Sequence, residues 1–128
     1  MVQLRSTLLA LAFAVPLAAQ GHVPALDPAG LNRALAARTW TIVEFGGPTC
    51  VPCMRMQPIL GELQQHYGPR ARFYNFYVTE HLKEARAHQI MVMPTQVIFD
   101  PKGREVFRHV GFWPQDVFMA ALAKLGLK

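Results

Sequence analysis

The chain has 128 residues, of which 52% are hydrophobic and 16% charged, and its net charge is +5 with histidine neutral. This length and hydrophobic content suit one domain with a buried core, and they exclude an intrinsically disordered chain. The longest apolar stretch, Leu8 to Ala19, is shorter than the roughly 20 residues of a membrane span, which excludes a protein with several spans. Lysine and arginine are scattered and not interleaved with aromatics, so the charge pattern does not favour nucleic-acid binding.

The first nineteen residues have the composition of a secretory signal peptide. Arg5 is the only charged residue among the first twenty, and an apolar stretch from Leu8 to Val15 follows it. We expect residues 1–19 to be removed and residues 20–128 to form the mature domain. Because Leu17 is larger than the small residue favoured at its position, an uncleaved membrane anchor is an alternative. Both interpretations predict an exported protein in the periplasm or another extracytoplasmic, oxidising compartment.

The first half of the mature chain predicts a helix, a strand and a second helix. Asp27 and Pro28 are typical of a helix start, and this helix is expected to end near Arg38. The β-branched and aromatic content of Thr39 to Phe45 predicts a strand that is buried on both faces. Apolar residues at three-four spacing then predict a long helix over residues 50–68, with a kinking proline inside it.

The second half predicts strands and helices that complete an α/β fold. Two strands joined through a helix imply a parallel crossover, and a terminal hairpin adds antiparallel strands, so we expect a mixed sheet with helices on both faces. No second domain is expected. The predicted elements are a buried strand at 71–78, a helix at 80–89, a hairpin of strands 96–99 and 105–110 with a turn at 100–103, and a last helix opened by Pro114.

The two cysteines form a Cys-x-x-Cys motif directly after the first predicted strand. The motif places Cys50 at a helix N-terminus, where free backbone N–H groups and the helix dipole favour a thiolate. Cys53 lies one turn later, close enough to form a disulfide with Cys50 and more shielded from solvent, as a resolving thiol should be. The alternatives are a permanently oxidised pair or half of a zinc site. Since the histidines lack zinc-motif spacing, we predict neither a metal site nor a cofactor.

With further positions added to the cysteines, the chain resembles the thioredoxin superfamily, and exported bacterial thioredoxin-like proteins in particular. The resemblance covers residues 27–127 and implies a thioredoxin fold for residues 20–128. The positions that carry it, besides the motif, are Glu44, Pro58, Met93-Pro94-Thr95, Lys102-Gly103, Val110-Gly111 and the stretches 46–60 and 107–112.

The chain also departs from the usual thioredoxin pattern. Thr49 and Gly46 stand where tryptophans are usual, Asn75 stands where many members have a lysine, and Glu44 replaces the usual aspartate. These departures put the partners of cytosolic thioredoxins in doubt and leave the thiol chemistry unchanged.

The resemblance implies roles for residues around the cysteines. Pro94 is expected to be a cis proline facing the disulfide, with the Met93 backbone pairing with an extended substrate segment. Thr95, Gly111 and Pro52 complete this structural and substrate-binding set.

Glu44 is the predicted general base of the site. It lies between Val43 and Phe45 in an apolar strand, so burial is expected to raise its pKa and suit it to take the proton of Cys53. The alternative is a carboxylate turned to water at the end of the strand.

The residues between the cysteines favour a reductase. Val51 carries no charge and Pro52 lacks an N–H group, so the Cys50 thiolate has few stabilising partners and the disulfide should be a weak oxidant. We therefore predict a monomeric enzyme that reduces disulfides in protein substrates, and the resemblance implies a membrane thiol transporter as electron donor. The alternatives are an oxidase that installs disulfides and a protein that delivers Cu(I) through the cysteines and nearby methionines.

Four methionines and one histidine are interpreted as structural residues. The methionines at positions 54, 56, 91 and 93 could form an apolar rim for partner polypeptides, but their spacing favours core positions. His109 is expected to be an exposed strand residue without a role.

Overall fold

The computed structural model describes residues 22–128, and in that range the chain forms four α-helices, one short 3-10 helix (Gly68–Arg70) and four strands. Every predicted element is present, with its ends displaced by up to about two residues. The signal peptide or anchor predicted for residues 1–19 lies outside the described residues. The elements are α1 (Pro28–Ala36), β1 (Trp40–Gly46), α2 (Val51–Tyr67), β2 (Ala71–Tyr77), α3 (Leu82–Ala87), β3 (Thr95–Phe99), β4 (Glu105–Val110) and α4 (Gln115–Leu125).

The four strands form one mixed sheet in the order β2-β1-β3-β4. β1 and β2 are parallel and connected through α2, whereas β3 runs antiparallel to both β1 and β4. β1 therefore lies inside the sheet, and all but its first residue are buried. The predicted parallel crossover and terminal hairpin are both confirmed, as is the thioredoxin fold.

Helices cover both faces of the sheet, each over its own core. On one face α2 and α4 pack against alternate strand residues, among them Ile42, Phe73 and Ile98. On the other face Leu31 of α1 and Ala85 of α3 pack against the intervening strand residues, among them Val43, Phe45, Phe76, Val97 and Phe99. This alternation follows from the two-residue period of a strand, and it assigns Glu44 to the face covered by α2.

β2 differs from its prediction as a strand that is buried throughout. Arg72 is exposed and Tyr74 is only half-buried, because β2 is an edge strand of the sheet. Residues 24–26 partly cover this edge. The Leu26 amide donates to the Asn75 carbonyl at 2.8 Å, and the Asn75 amide donates to the Pro24 carbonyl at 2.8 Å. The segment before α1 is thereby fixed to the sheet beside Asn75.

The N-terminus of α2 follows closely on the end of β1. α2 begins directly after the loop that follows β1, and it continues past Pro58 to Tyr67. α1 ends at Ala36, two residues before Arg38 takes a positive φ of 55°. Across residues 22–128, the structure contains no helix with the length and apolar character of a membrane span.

Candidate active site

The two cysteines lie at the junction between β1 and α2. Cys50 is the N-cap residue of α2, with extended backbone angles of φ −81° and ψ 116°, and its carbonyl accepts the Met54 amide at 2.9 Å. Cys50 and Cys53 form a disulfide with a Cα–Cα distance of 5.2 Å. The first sulfur therefore lies at the N-terminal end of a helix of 17 residues, where free N–H groups favour an anion.

The two sulfurs differ in their access to solvent. Cys50 is half-buried, whereas Cys53 is only 2% exposed. An external disulfide can therefore reach Cys50, while Cys53 is available only to a partner already attached to Cys50. This asymmetry suits a nucleophilic thiol followed by a resolving thiol.

The loop between α3 and β3, residues 88–94, lies beside the disulfide and is called the proline loop below. The Met93–Pro94 peptide bond is cis, as the resemblance implied. A methyl group added at Gly47 would lie 3.8 Å from Met93 Sδ and 4.0 Å from Cys50 Cβ, so Met93 and Cys50 flank the same glycine.

Thr95 and Gly111 fix the conformation of this loop. The Thr95 hydroxyl donates to the Val92 carbonyl at 2.7 Å, and the Gly111 amide donates to the Pro94 carbonyl at 2.7 Å. Gly111 has a φ of 92°, a conformation that favours glycine. Both residues thus support the proline loop through hydrogen bonds.

Exposed apolar side chains occur next to the disulfide in the chain and in the proline loop. Met91 is 90% exposed, and Val51, Met54 and Val92 are exposed as well. Met56, in contrast, is fully buried in the core beneath α2. The expectation that all four methionines belong to the core is therefore wrong for Met54, in the first turn of α2, and for Met91, in the loop before Pro94, because both side chains are exposed.

Glu44 is buried in the middle of the sheet. Its exposure is 1%, which excludes the alternative of a carboxylate turned to water. Its neighbours in register are Asn75 on β2 and Gln96 on β3, and Gln96 is in turn paired with His109 on β4. Because directly opposed residues share a face of the sheet, these four polar side chains form a row across the face that α2 covers.

Two amide groups donate to the carboxylate of Glu44. Gln57 Nε2 lies 3.2 Å from Oε1, and Gln96 Nε2 lies 3.2 Å from Oε2. Burial raises the pKa of Glu44 from 4.5 to about 7, although hydrogen bonds from Gln96 and Gln57 act in the opposite direction. A carboxyl with this pKa can exchange a proton near neutral pH.

The backbone at Gly46 brings the buried sulfur and the carboxyl together. A methyl group added at Gly46 would lie 3.0 Å from Cys53 Sγ and 3.5 Å from Glu44 Oε1. The two atoms are therefore separated by no more than these two distances combined. Any larger residue at position 46 would therefore press on both the sulfur and the carboxyl.

Gln57 and Gln96 were missed in the sequence, and His109 was misjudged. Gln57 is a buried polar residue one helical turn after Cys53, and this position on the inward side of α2 is a signal that could have identified it. His109 is half-buried and not exposed, because its ring stacks on Trp113 with centroids 4.4 Å apart. The sequence did not reveal that Trp113 would return to cover this strand.

A small cavity adjoins the buried sulfur. It has a volume of about 120 Å³, and its lining includes Cys53, Gln57, Tyr77 and His22. Within residues 22–128, no cluster of three or more histidine, cysteine, aspartate or glutamate side chains is arranged to hold a metal ion.

A Cys-x-x-Cys disulfide at the start of a helix, beside a cis-proline loop on a four-stranded mixed sheet, defines a thioredoxin-type thiol-disulfide oxidoreductase. Residues 28–126 match the family described as thioredoxin-like domain. Thioredoxin-1 of Saccharomyces cerevisiae is 31% identical over 92 residues, which are 72% of this chain and 87% of that protein. Thioredoxin of Bacillus subtilis is 29% identical over 83 residues, or 65% and 79% of the two chains.

Solved structures agree at the level of the fold. Chloroplastic thioredoxin z superposes with a TM-score of 0.74 at 24% identity, covering 81% of this chain and 94% of that one. Plasmodium falciparum thioredoxin gives a TM-score of 0.72 at 22% identity, covering 80% and 98%. The family match over residues 28–126 and the identity to the yeast thioredoxin show that the chain belongs to the thioredoxin-like domain family, and with its Cys50–Cys53 pair it is a thiol-disulfide oxidoreductase.

Proposed function

We propose that this protein is an exported reductase of protein disulfides. The observation that carries the proposal is the arrangement at the start of α2, where an accessible sulfur is followed one turn later by a buried sulfur beside a buried carboxyl. The similarity to thioredoxins supports the proposal that the substrates are disulfide-containing proteins. The exposed apolar residues near Cys50 offer such a polypeptide a contact surface.

The reaction uses the two cysteines in sequence. The Cys50 thiolate attacks one sulfur of the substrate disulfide, which forms a mixed disulfide and releases the other substrate sulfur as a thiolate that takes a proton. Glu44 then accepts the proton of Cys53, and the Cys53 thiolate attacks Cys50 Sγ. The second substrate sulfur leaves as a thiolate and is protonated. Two electrons have passed from the dithiol to the substrate, and Cys50 and Cys53 are left as a disulfide.

The residues between the cysteines support the direction of electron flow. Val51 is uncharged, and Pro52, the second residue of α2, has no N–H group to donate to the Cys50 sulfur. A less stabilised thiolate makes the reduced form less favoured, and the disulfide is then harder to reduce. The protein accordingly acts as an electron donor to substrates and not as an oxidant that installs disulfides.

Export and the electron supply complete the proposal. The apolar composition of residues 1–19 supports a signal peptide or an anchor, and the outside compartment is oxidising. Because each turnover leaves Cys50 and Cys53 oxidised, the enzyme needs two electrons from a dithiol donor. We assign the role of electron donor to a membrane thiol transporter. The reductase itself is proposed to be a monomer.

The reduction potential in glutathione and dithiothreitol buffers tests the function. We expect a value near the thioredoxin end of the range, about −270 mV, and far from the about −120 mV of a strong oxidant. In parallel, the reduced protein should reduce insulin disulfides faster than the oxidised protein oxidises a reduced unfolded substrate. A value at the oxidant end, or the reverse order of rates, would assign the protein to the oxidases. Cell fractionation and the mass of the mature chain test export.

A further inference from the structure

Three amide side chains surround the carboxyl of Glu44, and backbone carbonyls fix how each of them points. A carbonyl oxygen only accepts hydrogen bonds, so the amide end that faces it must be the NH₂ group. Asn75 Nδ2 donates to the Val23 carbonyl at 3.1 Å, and Gln96 Nε2 donates to the Gly111 carbonyl at 3.2 Å. These contacts determine the orientation of both side chains.

Asn75 in turn orients Gln57. Asn75 Nδ2 donates to Gln57 Oε1 at 2.8 Å, and Gln57 Nε2 donates to Asn75 Oδ1 at 3.0 Å, so the two amides form a reciprocal pair. Gln57 Nε2 also lies 3.3 Å from the Cys53 carbonyl. The NH₂ group of Gln57 is therefore fixed toward Glu44, and both carboxylate oxygens face amide donors.

The Gln96 amide is oriented by the hydrogen bonds of its NH₂ group and not by its oxygen. Gln96 Oε1 is buried without a hydrogen-bond partner among the described residues, which carries a desolvation penalty. If the amide turned over, its NH₂ group would no longer reach both Glu44 and Gly111. The orphaned oxygen is thus a consequence of directing the donor at Glu44.

We propose that Gln57, oriented by Asn75, and Gln96 are positioning residues that keep the Glu44 carboxylate ready to accept the Cys53 proton at neutral pH. The inference rests on the proposed role of Glu44 as general base. The amides present donors only, so they favour the ionised carboxylate over the protonated acid. They thereby oppose the effect of burial, which favours the protonated acid.

Few titratable groups face Glu44 from the elements packed around it. They are the Cys53 thiol on α2, Tyr77 on the same face of β2, His109 at the far end of the polar row on β4, and His22 at the cavity beside Cys53. β3 contributes the neutral amide of Gln96. The amides are therefore the groups that substitution can change without adding or removing a charge.

The release of thionitrobenzoate from Ellman's reagent separates the two steps. The first release reports the attack of Cys50, and the second reports resolution by Cys53, so stopped-flow absorbance from pH 5.5 to 9 gives a pH profile for each. In Gln57→Met, we expect the midpoint of the second phase to rise by about one pH unit, because a hydrogen bond to a charged acceptor is lost. The rate of resolution at pH 7 should then fall about fivefold, while the maximal rate reached at high pH should stay unchanged.

Gln64 provides a matched control on the same helix. Its amide also bridges α2 to β2, with hydrogen bonds to the Gly68 and Ala71 carbonyls and from the Phe73 amide, but it does not contact Glu44. Gln64→Met should leave the midpoint of the second phase unchanged. If Gln57→Met folds poorly, the double variant with Asn75→Leu replaces both partners of the amide pair by apolar groups and should give the same shift.

Glu44→Gln separates failure of this inference from failure of the proposed function. In this variant the rate of the second phase should no longer change with pH in a step around the midpoint of the wild type. A pH profile like that of the wild type would overturn both the general-base role and the inference. If Glu44→Gln removes the step but Gln57→Met and the double variant leave its midpoint in place, the positioning role is overturned alone. A shift of equal size in Gln64→Met would also overturn it.

Discussion

The burial of Glu44 should make the stability of the protein depend on pH. Its pKa is raised from 4.5 to about 7 by desolvation, so the folded chain binds this proton more tightly than the unfolded chain does. Below pH 4.5 both states are protonated and the carboxyl costs nothing. Stability is then lost as pH rises toward 7, and above 7 the full cost applies. Since each unit of difference between the two pKa values equals about 1.4 kcal/mol, the full cost is about 3 kcal/mol.

Glu44→Gln removes this titration, so its stability relative to the wild type should increase by about 3 kcal/mol between pH 4 and pH 8. The oxygen of the new amide can accept from only one of the two donors, so its NH₂ group faces the donor of the other, either Gln57 or Gln96, which adds a cost that does not change with pH. Urea unfolding of the disulfide form across this pH range measures the difference. Glu62→Gln, on the exposed side of α2, is the control and should give a flat difference.

A constant difference between Glu44→Gln and the wild type from pH 4 to pH 8 would refute this reasoning. It would mean that the carboxyl has the same proton affinity in the folded and unfolded chains. Other groups with shifted pKa values, such as Asp100 and His88, contribute equally to both proteins and cancel in the comparison.

Pro52→His should raise the reduction potential, because a nearby cation stabilises the Cys50 thiolate. A rise of about 30 mV corresponds to about 1.4 kcal/mol. An unchanged or lower potential in glutathione buffers would contradict this prediction. Gly103→Ala should destabilise the fold by about 1–3 kcal/mol in urea unfolding while the rate of insulin reduction stays unchanged, since Gly103 has a φ of 76° and a methyl group there would lie 2.7 Å from the Leu35 carbonyl oxygen. Phe118→Ala should cost about 3–5 kcal/mol because the ring is fully buried in the core beneath α4, and a loss below about 1 kcal/mol would show that this core repacks.

Much of the fold follows from local patterns in the chain. The strand over residues 40–46 and the long helix after Cys50 were predicted within about one residue of their ends, because hydrophobic periodicity and helix-capping residues are local properties. The helix over 82–87 was predicted too long at both ends, since polar residues continue past it in the chain. Boundaries of this kind depend on hydrogen bonds that the sequence does not display.

The candidate site was only partly visible in the sequence. The cysteine spacing identified the redox pair, and the resemblance implied the cis bond before Pro94. The only signal for Gln57 was its place on the inward side of α2, and Gln96 gave none of its own, because a single glutamine on a strand is equally compatible with a solvent-exposed position. Their relation to Glu44 spans 13 and 52 residues of sequence.

The sequence by itself determined the order of helices and strands and the position of the redox pair, since both depend on residues that are neighbours in the chain. The tertiary structure alone decided that Glu44 is buried beside Cys53, that three amides fix its surroundings, and that Met56 is core while Met54 is exposed. The physical reason is that the pKa of a carboxyl and the exposure of a side chain depend on what packs against them. For this protein those neighbours come from α2 and from the strands on either side of β1.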